Sequence, residues 1–88
     1  MAHHKSALKK IRRDEKRRLR NKAVRTRFRN LVKEVREAID AGDKGKAEAA
    51  LTQALPYLQK SVNKGVYHQN KVARDMSRLT RGVNALGA

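Results

Sequence analysis

Val24-Arg25-Thr26-Arg27-Phe28-Arg29-Asn30-Leu31-Val32-Lys33-Glu34-Val35-Arg36-Glu37-Ala38-Ile39 is the stretch that decides the fold. Val24, Phe28, Leu31, Val35 and Ile39 recur every three or four positions. That is the period of one face of an α-helix. A helix with a single apolar stripe must bury it against other elements. Upstream the stripe fails, leaving only scattered Ala7, Leu8, Ile11 and Leu19. Downstream, Gly42 supplies a left-handed stop. One helix is therefore predicted over residues 6–41, with Ser6 as its N-cap and a length of roughly 50 Å. Its second half can pack on partner helices. Its first half has too little apolar surface to do so.

Two further helices follow. Asp43 is the natural N-cap of a segment over residues 44–63. Ala47, Leu51, Ala54, Leu55, Leu58 and Val62 share one face of it. Pro56 removes a backbone hydrogen bond there, which predicts a bend at Leu55. The apolar spacing stays in register through Leu58 and Val62, so a bend fits better than a break. Lys64-Gly65 closes the segment, with Gly65 at C′. The third helix is predicted over residues 69–85. Its seam is Val72, Met76, Leu79, Val83 and Leu86, and Gly82 favours fraying at its end. Strand signals are nearly absent. The reading is an all-α chain: a three-helix antiparallel bundle whose long, highly basic N-terminal helix extends beyond it. Residues 1–88 form one domain, with a basic arm over 1–23 and the bundle over 24–88. The small core predicts marginal stability. The arm is expected to be mobile alone and ordered on its partner.

Charge then narrows the function. Fifteen of the first thirty-six residues are Lys or Arg, opposed only by Asp14, Glu15 and Glu34. That block is +12, and the remainder adds +3 to reach the chain's +15. Charge this concentrated repels itself in a compact state unless a polyanion neutralises it, and nucleic acid is the commonest one. With only Phe28, Tyr57 and Tyr67 as aromatics, base-stacking platforms on strands are disfavoured. Affinity should come from phosphate contacts. There is no cysteine and no apolar run approaching a membrane span, and Met1-Ala2-His3-His4-Lys5 lacks the apolar stretch expected of a secretory signal.

Candidate binding residues fall in two clusters. The arm supplies Lys5, Lys9, Lys10, Arg12, Arg13, Lys16, Arg17, Arg18, Arg20 and Lys22, with Arg25 and Arg29 at its base. Helical spacing spreads these around the cylinder, so one helix can meet phosphates on several sides. Asp14 is expected to pair with Arg17 or Arg18. The second cluster opens the third helix with Lys64, Gly65, His68, Gln69, Asn70 and Lys71, then Arg74 and Arg78. Gly65 permits close backbone approach, and free N–H groups at a helix start attract phosphate. His3 and His4 could chelate copper or nickel beside a free amine, but read better as polar terminal residues. No metal site, cofactor or small-molecule substrate is expected. No acidic pair, activated nucleophile or phosphate-binding glycine loop is present, so no enzyme is expected.

These residues resemble the bacterial small-subunit ribosomal protein S-twenty family over essentially the whole chain. The similarity begins with Lys5-Ser6-Ala7 and a basic helix. It runs through Asn21, the Ala41-Gly42-Asp43-Lys44 turn and an Ala-rich second helix. It is most specific in Lys64-Gly65-Val66-Tyr67-His68-Gln69-Asn70-Lys71-Val72-Ala73-Arg74 and in Ser77-Arg78-Leu79. Gln69, Val72, Asp75 and Tyr67 depart from the family's usual residues there. The resemblance implies a cytoplasmic, ribosome-bound protein that contacts small-subunit ribosomal RNA and stabilises its folding during assembly. Other small-subunit proteins are implied as further partners. By position, Lys5, Ser6, Asn21, Gly65, His68, Asn70 and Arg74 inherit RNA-facing roles.

Two other classes fit less well. A nucleoid or helix-turn-helix DNA-binding protein wants a short recognition helix, often in a symmetric dimer. A membrane-active or calmodulin-target helix wants a continuous apolar face with Trp or Phe anchors. The arm has neither.

Overall fold

A computed structural model describes residues 2–87, with side chains from residue 5 onward. It holds three α-helices and, among the described residues, no strand. Helix α1 spans Ala2–Asp40, α2 spans Lys44–Asn63 and α3 spans Gln69–Ala85. The last two match the bounds read from the sequence. The first does not. It begins at Ala2, so Ser6 lies inside the helix and is not its N-cap. Ala2, Lys5 and Ala7 are good helix formers, and a helix start in water needs no side-chain cap, because solvent satisfies its free N–H groups. The side chains of His3 and His4 lie outside the described residues.

Glycine ends α1 and α2 by the same device. Gly42 and Gly65 have φ of +71° and +73°. After α1, the Gly42 N–H donates to the Ile39 carbonyl at 3.0 Å and the Asp43 N–H to that of Ala38 at 3.1 Å. After α2, Gly65 donates to Val62 at 2.9 Å and Val66 to Ser61 at 3.1 Å. Both are Schellman motifs, which satisfy carbonyls that the helix end leaves free. Asp43 Oδ1 then accepts from the Lys46 N–H at 3.1 Å and starts α2. A Cβ at Gly42 would touch nothing within 4 Å. The cost of Gly42→Ala is therefore backbone strain alone, about 1–2 kcal/mol. Thermal unfolding followed by circular dichroism should show a lower midpoint, by about 4–8 °C per kcal/mol. Gly42→Asn should lose less, because Asn tolerates the left-handed region.

The core lies where the three helices meet. Phe28, Leu31, Val32, Val35 and Ala38 come from α1. Ala47, Ala54 and Leu58 come from α2, and Val72, Leu79 and Val83 from α3. Val32 and Ala38 widen the α1 stripe beyond its sequence reading, because α1 faces two helices rather than one. On α2 the fully buried apolar positions are Ala47, Ala54 and Leu58. Leu51, Leu55 and Val62 are only partly buried there. Ser61 is buried, and its hydroxyl donates to the Leu58 carbonyl at 2.6 Å, so burial leaves it satisfied. Helix α2 runs unbroken through the exposed Pro56. Helix α3 remains intact through Gly82, where a Cβ would meet Ile39 Cδ1 at 2.9 Å. Glycine there lets α1 approach closely, which sets its weak helix propensity against better packing.

The molecule measures 68 × 21 × 15 Å. Helix α2, with 20 residues, is only about 30 Å long. The excess length is the first half of α1, which stands clear of the other two helices.

Candidate nucleic-acid interface

Every described side chain from Lys5 to Arg20 is exposed. The arm therefore presents Lys5, Ser6, Lys9, Lys10, Arg12 and Arg13 to solvent, followed by Lys16, Arg17, Arg18 and Arg20. Asn21 is half-buried where the arm meets the bundle, while Lys22, Arg25 and Arg29 are exposed. Buried positions begin at Val24. Along the continuous helix α1 these cations keep helical spacing.

One ion pair in the arm differs from expectation. Arg18 donates to Glu15 Oε1 at 2.7 Å, and Asp14 is not the partner. A separation of three places Arg18 over the turn that carries Glu15. The hydrogen bond from Arg18, reinforced by its charge, holds the Glu15 carboxyl below its ordinary range. The same contact raises the Arg18 pKa. Both groups are fully exposed, so this trims local charge rather than anchoring the fold.

The second cluster sits at the open end of the bundle, where α2 ends and α3 begins. The Tyr67 ring lies 4.5 Å from that of Phe28, which fixes the loop 64–68 against the middle of α1. His68 is the N-cap of α3, and its Nδ1 accepts from the Asn70 N–H at 3.1 Å. A neutral imidazole accepting at Nδ1 carries its proton on Nε2, leaving that N–H free to donate. Lys64, Gly65, His68, Gln69, Asn70, Arg74 and Arg78 are all exposed.

Lys71 is differently placed. Its ammonium is 2.9 Å from Asp75 Oδ2, and it lies over the rings of Tyr67 and Phe28 at 5.1 and 5.5 Å. Asp75 and two aromatic faces thus already share its charge. A cross-helix set has no counterpart in the sequence reading. Arg27 lies 5.2 Å and Lys64 6.0 Å from the centre of the Tyr57 ring. Tyr57 gathers cations from α1 and from the end of α2. No local spacing announces a contact between elements about thirty residues apart.

Among the described residues, no group of His, Asp and Glu could hold a metal ion. Nor, among those residues, is any helix long and apolar enough to cross a membrane. A small helical bundle carrying an exposed cationic rod defines a class, the polyanion-binding helical proteins, in which charge and shape do the work.

The comparisons with known proteins place the chain within that class. The family described as Ribosomal protein S20 matches residues 2–84, and the chain belongs to that family. Small ribosomal subunit protein bS20 of Geobacter metallireducens is 48% identical over 87 residues, covering 99% of this chain and 100% of that protein. The protein of the same name from Syntrophus aciditrophicus is 52% identical over 85 residues, covering 97% and 96%. That from Nitratidesulfovibrio vulgaris strain DP4 is 51% identical over 84 residues, covering 96% and 97%. The family is one of ribosomal proteins, and the chain is not an enzyme.

Proposed function

We propose that this chain is a structural constituent of the small ribosomal subunit and binds its ribosomal RNA directly. The single observation that carries the reading is the arm: ten basic residues from Lys5 to Lys22, on one continuous helix exposed as far as the bundle. Such a rod can enter a cleft between RNA helices and neutralise phosphates that converge there. Residues 24–88 act as the anchor, and the cluster around Lys64, Gly65, His68, Asn70 and Arg74 gives the second contact. Gly65 brings the backbone close, the His68 Nε2–H donates, and the start of α3 attracts phosphate. Phosphate contacts set register and affinity, and the fold of the RNA supplies the selectivity. Binding during assembly would hold RNA helices together that otherwise repel. The cellular location is then the cytoplasmic ribosome, and neighbouring small-subunit proteins are further partners.

Salt tests this directly. If about 6–10 phosphates are neutralised, affinity for a small-subunit ribosomal RNA transcript falls about 10³–10⁵-fold between 50 and 200 mM salt. Filter binding across that range gives the slope, and a nearly flat profile would refute the mechanism. Duplex DNA of matching length should compete poorly at fixed salt. Preference for the duplex would favour a nucleoid-type DNA-binding protein instead.

A further inference from the structure

Two cations converge on one aromatic ring with no acid beside them. Arg27 of α1 lies 5.2 Å from the centre of the Tyr57 ring, and Lys64, the C-cap of α2, lies 6.0 Å from it. Like charges so placed repel each other, and the negative face of the ring offsets only part of that. Lys71, which also lies over aromatic rings, has Asp75 at 2.9 Å as its counter-charge. The pair at Tyr57 has no such neutraliser. Among the described residues neither Arg27 nor Lys64 forms an ion pair, and no acidic residue stands within four positions of either. Both are exposed, while Tyr57 is half-buried. The ring is a seat held by the bundle, and the two charges on it are open to an anion from outside.

We propose that Tyr57 assembles a phosphate site from Arg27 and Lys64, and that this site carries one RNA strand from the arm to the cluster at the start of α3. Arg27 becomes a phosphate ligand and Tyr57 its positioning residue, both resting on the RNA-binding reading above. Helical phase supports the path. Because α1 is one continuous helix, its positions advance about 100° per residue. Lys9, Arg13, Lys16, Arg20 and Arg27 therefore fall within an arc of about 60°, and every residue from Lys5 to Arg27 in that arc is basic. The row is about 27 Å long. Further along α1 the same arc carries Leu31 and Ala38, both buried. The row thus ends where the bundle begins, and Tyr57 stands at its foot with Lys64. Lys64 in turn adjoins Gly65, the first glycine of the second cluster. A row of cations with no acidic or apolar member suits a partner whose anions recur at regular intervals. A phosphodiester strand offers one at every nucleotide, so a single strand can follow the row and reach both cations at Tyr57.

The test uses the full chain and a small-subunit ribosomal RNA transcript. Arg27→Gln and Lys64→Gln should each take about 0.7–0.9 from the slope of log affinity against log salt, and should lower affinity about five- to eightfold near 100 mM salt. Arg81→Gln removes the same charge from an exposed position on α3 outside both clusters and should change neither. Tyr57→Phe keeps the ring and should bind like the parent. Tyr57→Leu should weaken binding about fivefold, and in its background Arg27→Gln should cost less than about twofold, because the two act through one site. Affinities are taken at a temperature where circular dichroism shows every variant folded. An unchanged slope for either Gln variant overturns the proposal. So does an equal loss for Arg81→Gln, which would make the effect one of net charge. Full additivity of Tyr57→Leu and Arg27→Gln overturns the positioning role and leaves Tyr57 as packing alone. A defect confined to assembly with ribosomal proteins, with affinity for the naked transcript intact, overturns the site as well and assigns the two cations to an acidic protein partner. Failure of the parent chain to bind RNA at all is a separate outcome and overturns the function proposed above.

Discussion

Replacing the ten arm cations from Lys5 to Lys22 by glutamine lowers affinity for folded ribosomal RNA by at least about 10³-fold at moderate salt. The chain should nonetheless remain folded. Gln has nearly the helix propensity of Lys and Arg, and no buried position is altered, since burial starts at Val24. Ten of the twenty-three basic residues disappear, which takes the net charge from +15 to +5. Every phosphate that is no longer neutralised takes about 0.7–0.9 from the slope of log affinity against log salt. The measurement is that slope, taken beside a thermal melt of the free protein. A collapse in affinity with a flattened slope and an undiminished melting temperature is the expected combination. Equal slopes for parent and variant would mean that the bundle alone holds the RNA. Any change in the melt should be upward, because the substitutions relieve repulsion along the rod.

This separation of arm from anchor is legible in the sequence, and the reason is local. Helix ends are written in short-range chemistry. Asp43, Gly42 and Gly65 each act on backbone groups within a few residues, so they mark the end of α1 and both bounds of α2. The start of α1 misleads for the same reason. Ser6 has the chemistry of a cap, but nothing obliges a solvated helix to stop where a cap is available. The core stripe on α1 is legible in its period but not in its width. Val32 and Ala38 lie on opposite flanks of that stripe and are buried because α1 meets two partner helices, a fact no single helix contains.

The site is legible as charge and illegible as contact. Which residues are cationic and exposed follows from composition and the failed stripe. Which cations are already engaged depends on chain segments brought together by the fold. Lys71 reads as a free phosphate ligand; its side chain is exposed, and its ammonium also pairs with Asp75 and lies over Phe28 and Tyr67. Arg27 reads as any member of the basic block, yet Tyr57 holds it near Lys64. Even within one helix, the choice of Glu15 over Asp14 as partner for Arg18 turns on side-chain direction rather than spacing alone.

The bundle's dependence on a small core leads to a second large effect, at Leu58. This side chain is fully buried at 0% exposure on α2, the helix that packs most closely with both of the others. Leu58→Ala removes a branched side chain and leaves a cavity, which costs about 2–5 kcal/mol. The surrounding residues have little freedom to collapse into the space. Ala54, one turn away on α2, is already small and fully buried, and Ser61 is tied to the Leu58 carbonyl by its hydroxyl. A small domain has about 5–15 kcal/mol in total, and this one spends part of its length on an arm that packs against nothing. Urea unfolding should therefore show a midpoint shifted strongly downward with an unchanged m-value. Leu58→Met nearly conserves volume and should cost less than about 1.5 kcal/mol. RNA binding by the Ala variant should weaken mainly through loss of the folded fraction, and it should recover when excess RNA draws the bundle back to the folded state. A midpoint equal to that of the parent chain would mean that α2 is held by its caps and turns rather than by the packing of its buried face.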